Sequence, residues 1–329
     1  MWGAVPRLRR ALARMDTLAV PPLSWEALQA MLSEGLGPDV VLEEVRELTG
    51  GVVHVALLLI TTDGRRAVAK VSRTACDVDL AREALHLEAL RQRGLPAPRV
   101  YAHLVGTADA PRSWLLMAFH EGVSLLEARQ RCAPEAWDGL MAHLGELLAT
   151  LHTVQGTDWG PVSGSAGPGG FASWPAFFRS LYSPAWDDVR GTSLLPPEAN
   201  VRIAAVHARL DALLADAGPP CLTHGDPFGT NLLACPDADG RWRISAMLDP
   251  YLRWGSPEAE LVRLEVAGIA SPSLRETYAR LRPESDARMR AHAPLYRLYN
   301  ALEQLAFLVA RRRQDVLAAL DVLPPVESG

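Results

Sequence analysis

His224-Gly225-Asp226-Pro227-Phe228-Gly229-Thr230-Asn231 is the stretch on which the reading of this chain turns. It lies between two apolar runs, around Leu222 and Leu232–Ala234, and so reads as a loop on an island of short strands. Asp226 and Asn231 stand five residues apart, and Asn is scarce: Asn200, Asn231 and Asn300 are the only three. A carboxylate that can take a proton and an amide oxygen that suits a hard cation therefore share one loop. A further carboxylate, Asp249, follows the apolar strand Ile244–Leu248.

Upstream, Lys70 is the only lysine among 33 Lys and Arg residues. A chain so biased toward Arg keeps a Lys where a compact point charge is needed and a broad planar fork will not serve. Its context, Ala67-Val68-Ala69-Lys70-Val71, is a short apolar run that reads as a strand. A lysine there needs a carboxylate to orient it. The helical pattern Leu80–Arg93, closed by Gly94, Pro96 and Pro98, offers Glu83 and Glu88, and Glu83 is preferred because it lies nearer the helix start.

The intervening pattern fills in an α+β lobe. Ser24 to Leu36 reads as a helix capped by Ser24. Val41–Leu48, Val52–Ile60 and Ala67–Val71 read as a strand meander turned by Gly50-Gly51 and Asp63-Gly64. Val100–Leu104 and Trp114–Phe119 add two strands, and Glu121-Gly122 leads out of the lobe. The rest is mostly helical, with leucines at helix spacing over Leu140–Leu151, Ile203–Leu214 and Leu295–Leu305. The expected organisation is an N-terminal extension and helix over 1–40, a small lobe over 41–120, a larger helical lobe over 121–320 and a frayed tail over 321–329.

At 329 residues the chain is long enough for two lobes. A net charge of −5 argues against a nucleic-acid partner. Four scattered cysteines without a C-x-x-C point to a reduced, cytoplasmic compartment. No apolar run reaches the roughly 18 residues of a membrane span. Arg7, Arg9, Arg10 and Arg14 precede no apolar region, so a solvated helical extension is expected, with Met15 an alternative start.

Other candidates have plainer explanations. His152 on a Leu-rich helix reads as a packed, hydrogen-bonded histidine, and Arg311-Arg312-Arg313 as a solvated helix end. The aromatic series Trp174, Phe177, Phe178 and Trp186 reads first as core or lid packing, although with Trp254 it would also wall a small acceptor pocket. Glu258, Glu260, Glu265, Asp187 and Asp188 would make an acidic cleft for a cationic amino sugar, or simply solvated surface.

Together these residues resemble a phosphoryl-transfer apparatus. The Asp-to-Asn spacing equals the D-x-x-x-x-N of the protein-kinase catalytic loop, and Lys70 resembles the V-A-I-K lysine. From about Leu42 to Leu308 the chain resembles the small-molecule kinases of protein-kinase-like fold, the aminoglycoside phosphotransferases and fructosamine (ketosamine) kinases. The second is the nearer match, on His224–Asn231, Asp249–Leu261 and Leu295-Tyr296-Arg297-Leu298-Tyr299. Two departures stand out: Pro227-Phe228 replaces the usual Leu-Trp, and Glu260 stands where the family has Asp.

The resemblance implies a two-lobe fold, a small antiparallel-sheet lobe followed by a larger helical one, with ATP and Mg2+ as cofactors. Asp226 would be the catalytic base, and Asn231 and Asp249 the metal ligands. Lys70, oriented by Glu83, and the turn Gly50-Gly51 would hold phosphates, and backbone groups of Met117, Ala118, Phe119 and His120 the adenine, in a cleft between lobes. The implied acceptor is a small-molecule hydroxyl, on a ketosamine first and an aminoglycoside second. A catalytically silent nucleotide-binding protein is the alternative of another class.

Overall fold

The computed structural model describes residues 23–48, 54–75, 77–107, 112–164, 167, 169–308, 316, 320 and 322. The Gly50-Gly51 turn, the basic N-terminal extension and Arg311–Arg313 lie outside the described residues. The chain divides into two compact units. One holds the described residues up to Gly122 together with Ser245–Pro250; the other holds Val123–Ile244 and the chain from Tyr251 onward.

The first unit begins with α1 (Trp25–Leu36), whose N-terminus is satisfied by Ser24 Oγ accepting from Ala27 N at 3.2 Å. Then follow β1 (Leu42–Leu48), β2 (His54–Thr61), β3 (Arg66–Ala75), α2 (Asp79–Gln92), β4 (Val100–Leu104) and β5 (Arg112–Ala118). The five strands form one antiparallel sheet in the order β1-β2-β3-β5-β4. Asp63-Gly64 makes the β2–β3 turn, with Gly64 at φ +81°. Strand β3 runs well past the apolar stretch that announces it in sequence, because both its neighbours continue to pair with it.

Alternation along β3 decides where its lysine goes. Ala67, Ala69 and Val71 are fully buried and pack with Leu28, Met31 and Leu32 of α1. Lys70 falls on the opposite face, in register with Ala56 of β2 and Leu115 of β5, where it meets Glu83 of α2. Ser245–Pro250 is tied into this unit by Met247 N donating to Pro96 O at 2.7 Å and Ser245 Oγ donating to Glu121 O at 2.8 Å.

The second unit carries β6 (Val123–Ser124), α3 (Leu125–Arg131), α4 (Pro134–Leu151), β7 (Gly160–Pro161), α5 (Trp174–Asp187), α6 (Pro197–Ala208) and α7 (Leu210–Leu213). Next come β8 (Cys221–Thr223), β9 (Leu232–Pro236), β10 (Trp242–Met247, whose last residues belong to the first unit), β11 (Arg253–Gly255), α8 (Pro257–Val266), α9 (Pro272–Leu281) and α10 (Ser285–Leu308). The short strands form two three-stranded sheets, β10-β9-β6 and β7-β11-β8. The helix expected over Ile203–Leu214 is interrupted at Arg209, where ψ is 9°, yet Ile203, Val206 and Leu210 stay in one core. Helix α8 gives no amphipathic signal because its whole surface is covered: Glu258, Glu260 and Arg263 are buried along with Leu261, Val262 and Leu264.

The aromatic series proves to be core. Trp174, Phe177, Phe178 and Tyr182 pack with Tyr296 and Tyr299 of α10, the rings of Phe178 and Tyr299 lying 5.2 Å apart. Trp174 Nε1 donates to Tyr296 Oη at 2.9 Å, and Trp254 Nε1 to Gly167 O at 2.8 Å. Trp174, Phe177, Phe178 and Trp254 are at most 5% exposed, so they hold helices together and offer no wall to an acceptor.

Candidate active site

The first unit gathers Lys70, Glu83 and Asp249. Lys70 Nζ donates to Glu83 Oε1 at 2.6 Å and also ion-pairs with the Asp249 carboxylate. Glu88, the other helical candidate, instead lies half-exposed beside Gln92 and Arg91. Asp249 has φ +52°, the one positive value among the described non-glycine residues. Such backbone is costly outside glycine and calls for surrounding support. Part of that support is His86 of α2, a fully buried ring whose Nδ1 lies 3.2 Å from Pro250 O. One helix thus supplies the partner of Lys70 and a tether for the Asp249 turn.

Met117 and Ala118 end β5, flanked by β3 and β4; Ala118 N donates to Arg99 O at 2.8 Å. Phe119 and His120 follow the strand. Arg66 stacks 4.5 Å from the Phe119 ring centroid, and His120 Nδ1 lies 3.0 Å from Ser245 O.

The second unit carries the His224–Asn231 loop between β8 and β9. Gly225 takes φ +83°, and a Cβ there would fall 2.0 Å from Tyr251 O, so both the dihedral and the space require glycine. Glu260 of α8 reaches into this turn: its carboxylate accepts from Gly225 N at 2.7 Å and His224 N at 3.1 Å, and from His152 Nε2 at 2.9 Å. His152 Nδ1 lies 2.8 Å from Tyr278 Oη. His152 is therefore a packed, bonded histidine, and Glu260 holds the loop. Burial would raise the Glu260 carboxyl; the His152 hydrogen bond and charge more than offset it, so its pKa lies below the ordinary value.

Asp226 is 5% exposed. Asn231 Nδ2 donates to its carbonyl at 3.0 Å and to its Oδ2 at 3.2 Å. Its Oδ1 accepts from Arg263 Nη2 at 3.0 Å. Burial opposes the ionised form of Asp226, and the guanidinium charge of Arg263 helps to hold its pKa below the usual carboxylate range. Arg263 has no signature in sequence: it is one arginine among many, and only the fold turns it inward. The neighbouring Arg253 is also buried, which pushes its guanidinium down to about 10.

The acidic cleft drawn from sequence does not assemble. Glu258 is fully buried and bonded to Ser256, Ser285 and Arg288. Glu265 pairs with Arg297 and Arg275, and Asp187 with Arg190.

The donors fit a hard cation. Asn231 commits its amide nitrogen to Asp226 and its Oδ1 accepts from Thr230 Oγ1 at 3.4 Å; in the first unit the Asp249 side chain is 47% exposed, and both supply oxygen donors of the kind a hard cation takes. Among the described residues no group of three or more His, Cys, Asp or Glu could cage a metal alone. Mg2+ is commonly bound with the substrate's phosphates completing its shell.

The profile of the phosphotransferase enzyme family matches residues 44–295. Among solved structures, a provisional fructosamine-3-kinase from Thermobifida fusca YX-ER1 superposes with a TM-score of 0.69 at 22% identity, over 91% of this chain and 98% of that one. The aminoglycoside phosphotransferase APH(4)-Ia, in a ternary complex with AMP-PNP and hygromycin B, gives 0.60 at 19% identity, over 90% and 96%. A provisional aminoglycoside phosphotransferase from Ralstonia eutropha JMP134 gives 0.62 at 16%, over 91% and 97%. No curated protein sequence matches. No helix among the described residues is long and apolar enough to cross a membrane. With the family profile spanning most of its length and the two-lobe fold shared with those kinases, this chain belongs to the phosphotransferase enzyme family and is an ATP-dependent phosphotransferase of protein-kinase-like fold.

Proposed function

We propose that the protein transfers the γ-phosphoryl group of Mg-ATP to a hydroxyl of a ketosamine-type sugar amine. The observation that carries the reaction is the Asp226 carboxylate, buried and held on both oxygens at the mouth of a D-x-x-x-x-N loop. The acceptor O–H gives its proton to Asp226 as its oxygen bonds to the γ-phosphorus. The bond from phosphorus to the bridging oxygen breaks, and its electron pair leaves with ADP. Lys70, set by Glu83, neutralises phosphate charge, and the backbone from the end of β5 onward, Met117 to His120, receives the adenine. Mg2+ would be held by Asn231 Oδ1 and Asp249 and supplies neutralisation of the phosphate oxygens.

Two observations favour the ketosamine over an aminoglycoside. Glu258 and Glu260 are buried on internal partners and Glu265 is paired with Arg297 and Arg275, which weakens their pull on a polycation. The fructosamine-3-kinase fold is also the better superposition of those compared above. The test incubates the protein and Mg-ATP with a model fructosyl-amine and, separately, hygromycin B. Mass spectrometry should show one added phosphate on the ketosamine. Phosphate on hygromycin B alone would replace the acceptor and leave the reaction class standing. Asp226→Asn should bind nucleotide yet lose about 10²–10⁴-fold in turnover; equal turnover would remove Asp226 from the chemistry.

A further inference from the structure

Arg263 spends both terminal nitrogens and one face of its guanidinium on named partners. It projects from α8 and is 4% exposed. Nη2 donates to Asp226 Oδ1 at 3.0 Å. Nη1 donates to Glu303 Oε2 at 2.7 Å and to Asn300 Oδ1 at 3.2 Å, both on α10. Its face lies 4.6 Å from the ring centroid of Phe228, two residues beyond Asp226 in the loop. A tie between α8 and α10 would need only Glu303 and Asn300. The remaining edge and the face are turned to the catalytic loop.

We infer that Arg263 is the positioning residue of the phosphoryl transfer, fixing the orientation of the Asp226 carboxylate; this rests on Asp226 being the residue that receives the acceptor proton. Arg263 donates to Oδ1 of that carboxylate and Asn231 to Oδ2. A carboxylate has about four lone-pair sites, so two fixed donors orient it without using up its capacity to accept. A loose phosphoryl transition state asks for orientation more than for a strong base, which makes a cation beside the carboxylate compatible with catalysis. The residue must be Arg, because a planar fork can span Asp226, Glu303 and Asn300 at fixed angles, whereas an ammonium holds one point. Phe228 stands where the resemblance sets Trp, and its ring supplies the surface on which this guanidinium lies.

The three asparagines make the inference directly readable. Labelling side-chain amides of Asn with 15N gives three NH2 pairs: Asn231 reports on the Asp226 carboxylate, Asn300 on the α10 end of Arg263, and Asn200 on neither. Arg263→Gln alone would leave Glu303 buried without its cation, so the main variant is the double substitution Arg263→Gln with Glu303→Gln. It should move both the Asn231 and Asn300 pairs, keep Mg-ATP affinity, and lower turnover about 10²-fold, as expected when a reacting group is misplaced by an ångström. Arg263→Lys should return the Asn231 pair and turnover part of the way. A folded double variant with only Asn300 displaced and turnover intact would reduce Arg263 to a tie between helices. Should the double variant not fold, Arg263→Lys decides alone: a wild-type Asn231 pair with wild-type turnover overturns the inference. Absence of phosphoryl transfer by the wild-type chain would instead fail the assignment of Asp226. The Asn231 signals separate the two failures, since they do not depend on turnover.

Discussion

Replacing Glu260 by Gln tests how the catalytic loop is held. The carboxylate accepts three hydrogen bonds, from Gly225 N at 2.7 Å, His224 N at 3.1 Å and His152 Nε2 at 2.9 Å, in a site where its side chain is 3% exposed. Gln keeps one acceptor oxygen and turns an NH2 toward the other donors. At least one buried backbone N–H then loses its partner, and the charge assistance of the rest disappears. A charge-assisted bond contributes about 1.5–3 kcal/mol and an orphaned buried donor costs about 1–3 kcal/mol, so the sum is about 2.5–6 kcal/mol. That is a large share of a total of roughly 5–15 kcal/mol and should lower Tm by about 10 °C at pH 7. The pH dependence has a definite sign. The folded pKa of Glu260 is depressed, so its contribution is complete above the ordinary value of 4.5 and is lost as pH falls through the folded value. The gap in Tm between wild type and the Gln variant should therefore narrow in acid. Glu260→Asp, which keeps the charge on a shorter stem, should lose less than Gln. Calorimetry of the three proteins from pH 7 down to about pH 3, below the ordinary carboxyl value, makes the measurement. A Gln variant melting within about 2 °C of wild type at pH 7 would refute the reasoning.

Lys70→Arg should weaken turnover despite keeping charge, because the fork cannot occupy the point between Glu83 and Asp249; steady-state kinetics would show it, and unchanged kcat/KM would argue against a phosphate role. An amine-directed ATP analogue should label Lys70, the only lysine, and excess ATP should protect it in peptide mass spectrometry; indifference to ATP would place it outside the site. Gly225→Ala should lose both stability and turnover, because φ +83° and the 2.0 Å approach to Tyr251 O leave no room for a methyl; a melting curve and turnover equal to wild type would contradict that geometry.

Local chemistry made part of the site legible in sequence. The lone lysine, the rare asparagine and the strand-end Asp249 can be picked out because each departs from the composition around it. The antiparallel sheet was readable because alternation and turn glycines act over a few residues. Helix α8 was not, since its charged residues are buried on every side and erase the 3.6-residue period. For the same reason Glu258 and Glu260 suggested an open acidic surface when they are internal. The aromatics of α5 pointed to a pocket because an aromatic's size is visible in sequence while its neighbours, Tyr296 and Tyr299, lie over a hundred residues away. His86 and Arg263 act through contacts distant in sequence, at Pro250 and Asp226, and nothing local marks them.

On the roles proposed above, the two cations at the reacting residues also explain why a chain rich in arginine keeps one lysine. Arg263 is braced by Glu303, Asn300 and the Phe228 ring while it holds Asp226, and the value of that arrangement is that it does not change during turnover. Lys70 stands between the carboxylates of Glu83 and Asp249 on a flexible stem. An ammonium with three equivalent donors can release Asp249 to a cation, keep Glu83 and turn a proton toward phosphate without realigning a plane. The unit that carries Lys70 also carries Ser245–Pro250, so Lys70, Glu83 and Asp249 belong to one compact body, and their exchange of partners needs only side-chain motion. Arginine thus occupies the place where the cation must stay fixed, and the only lysine the place where it must change partners.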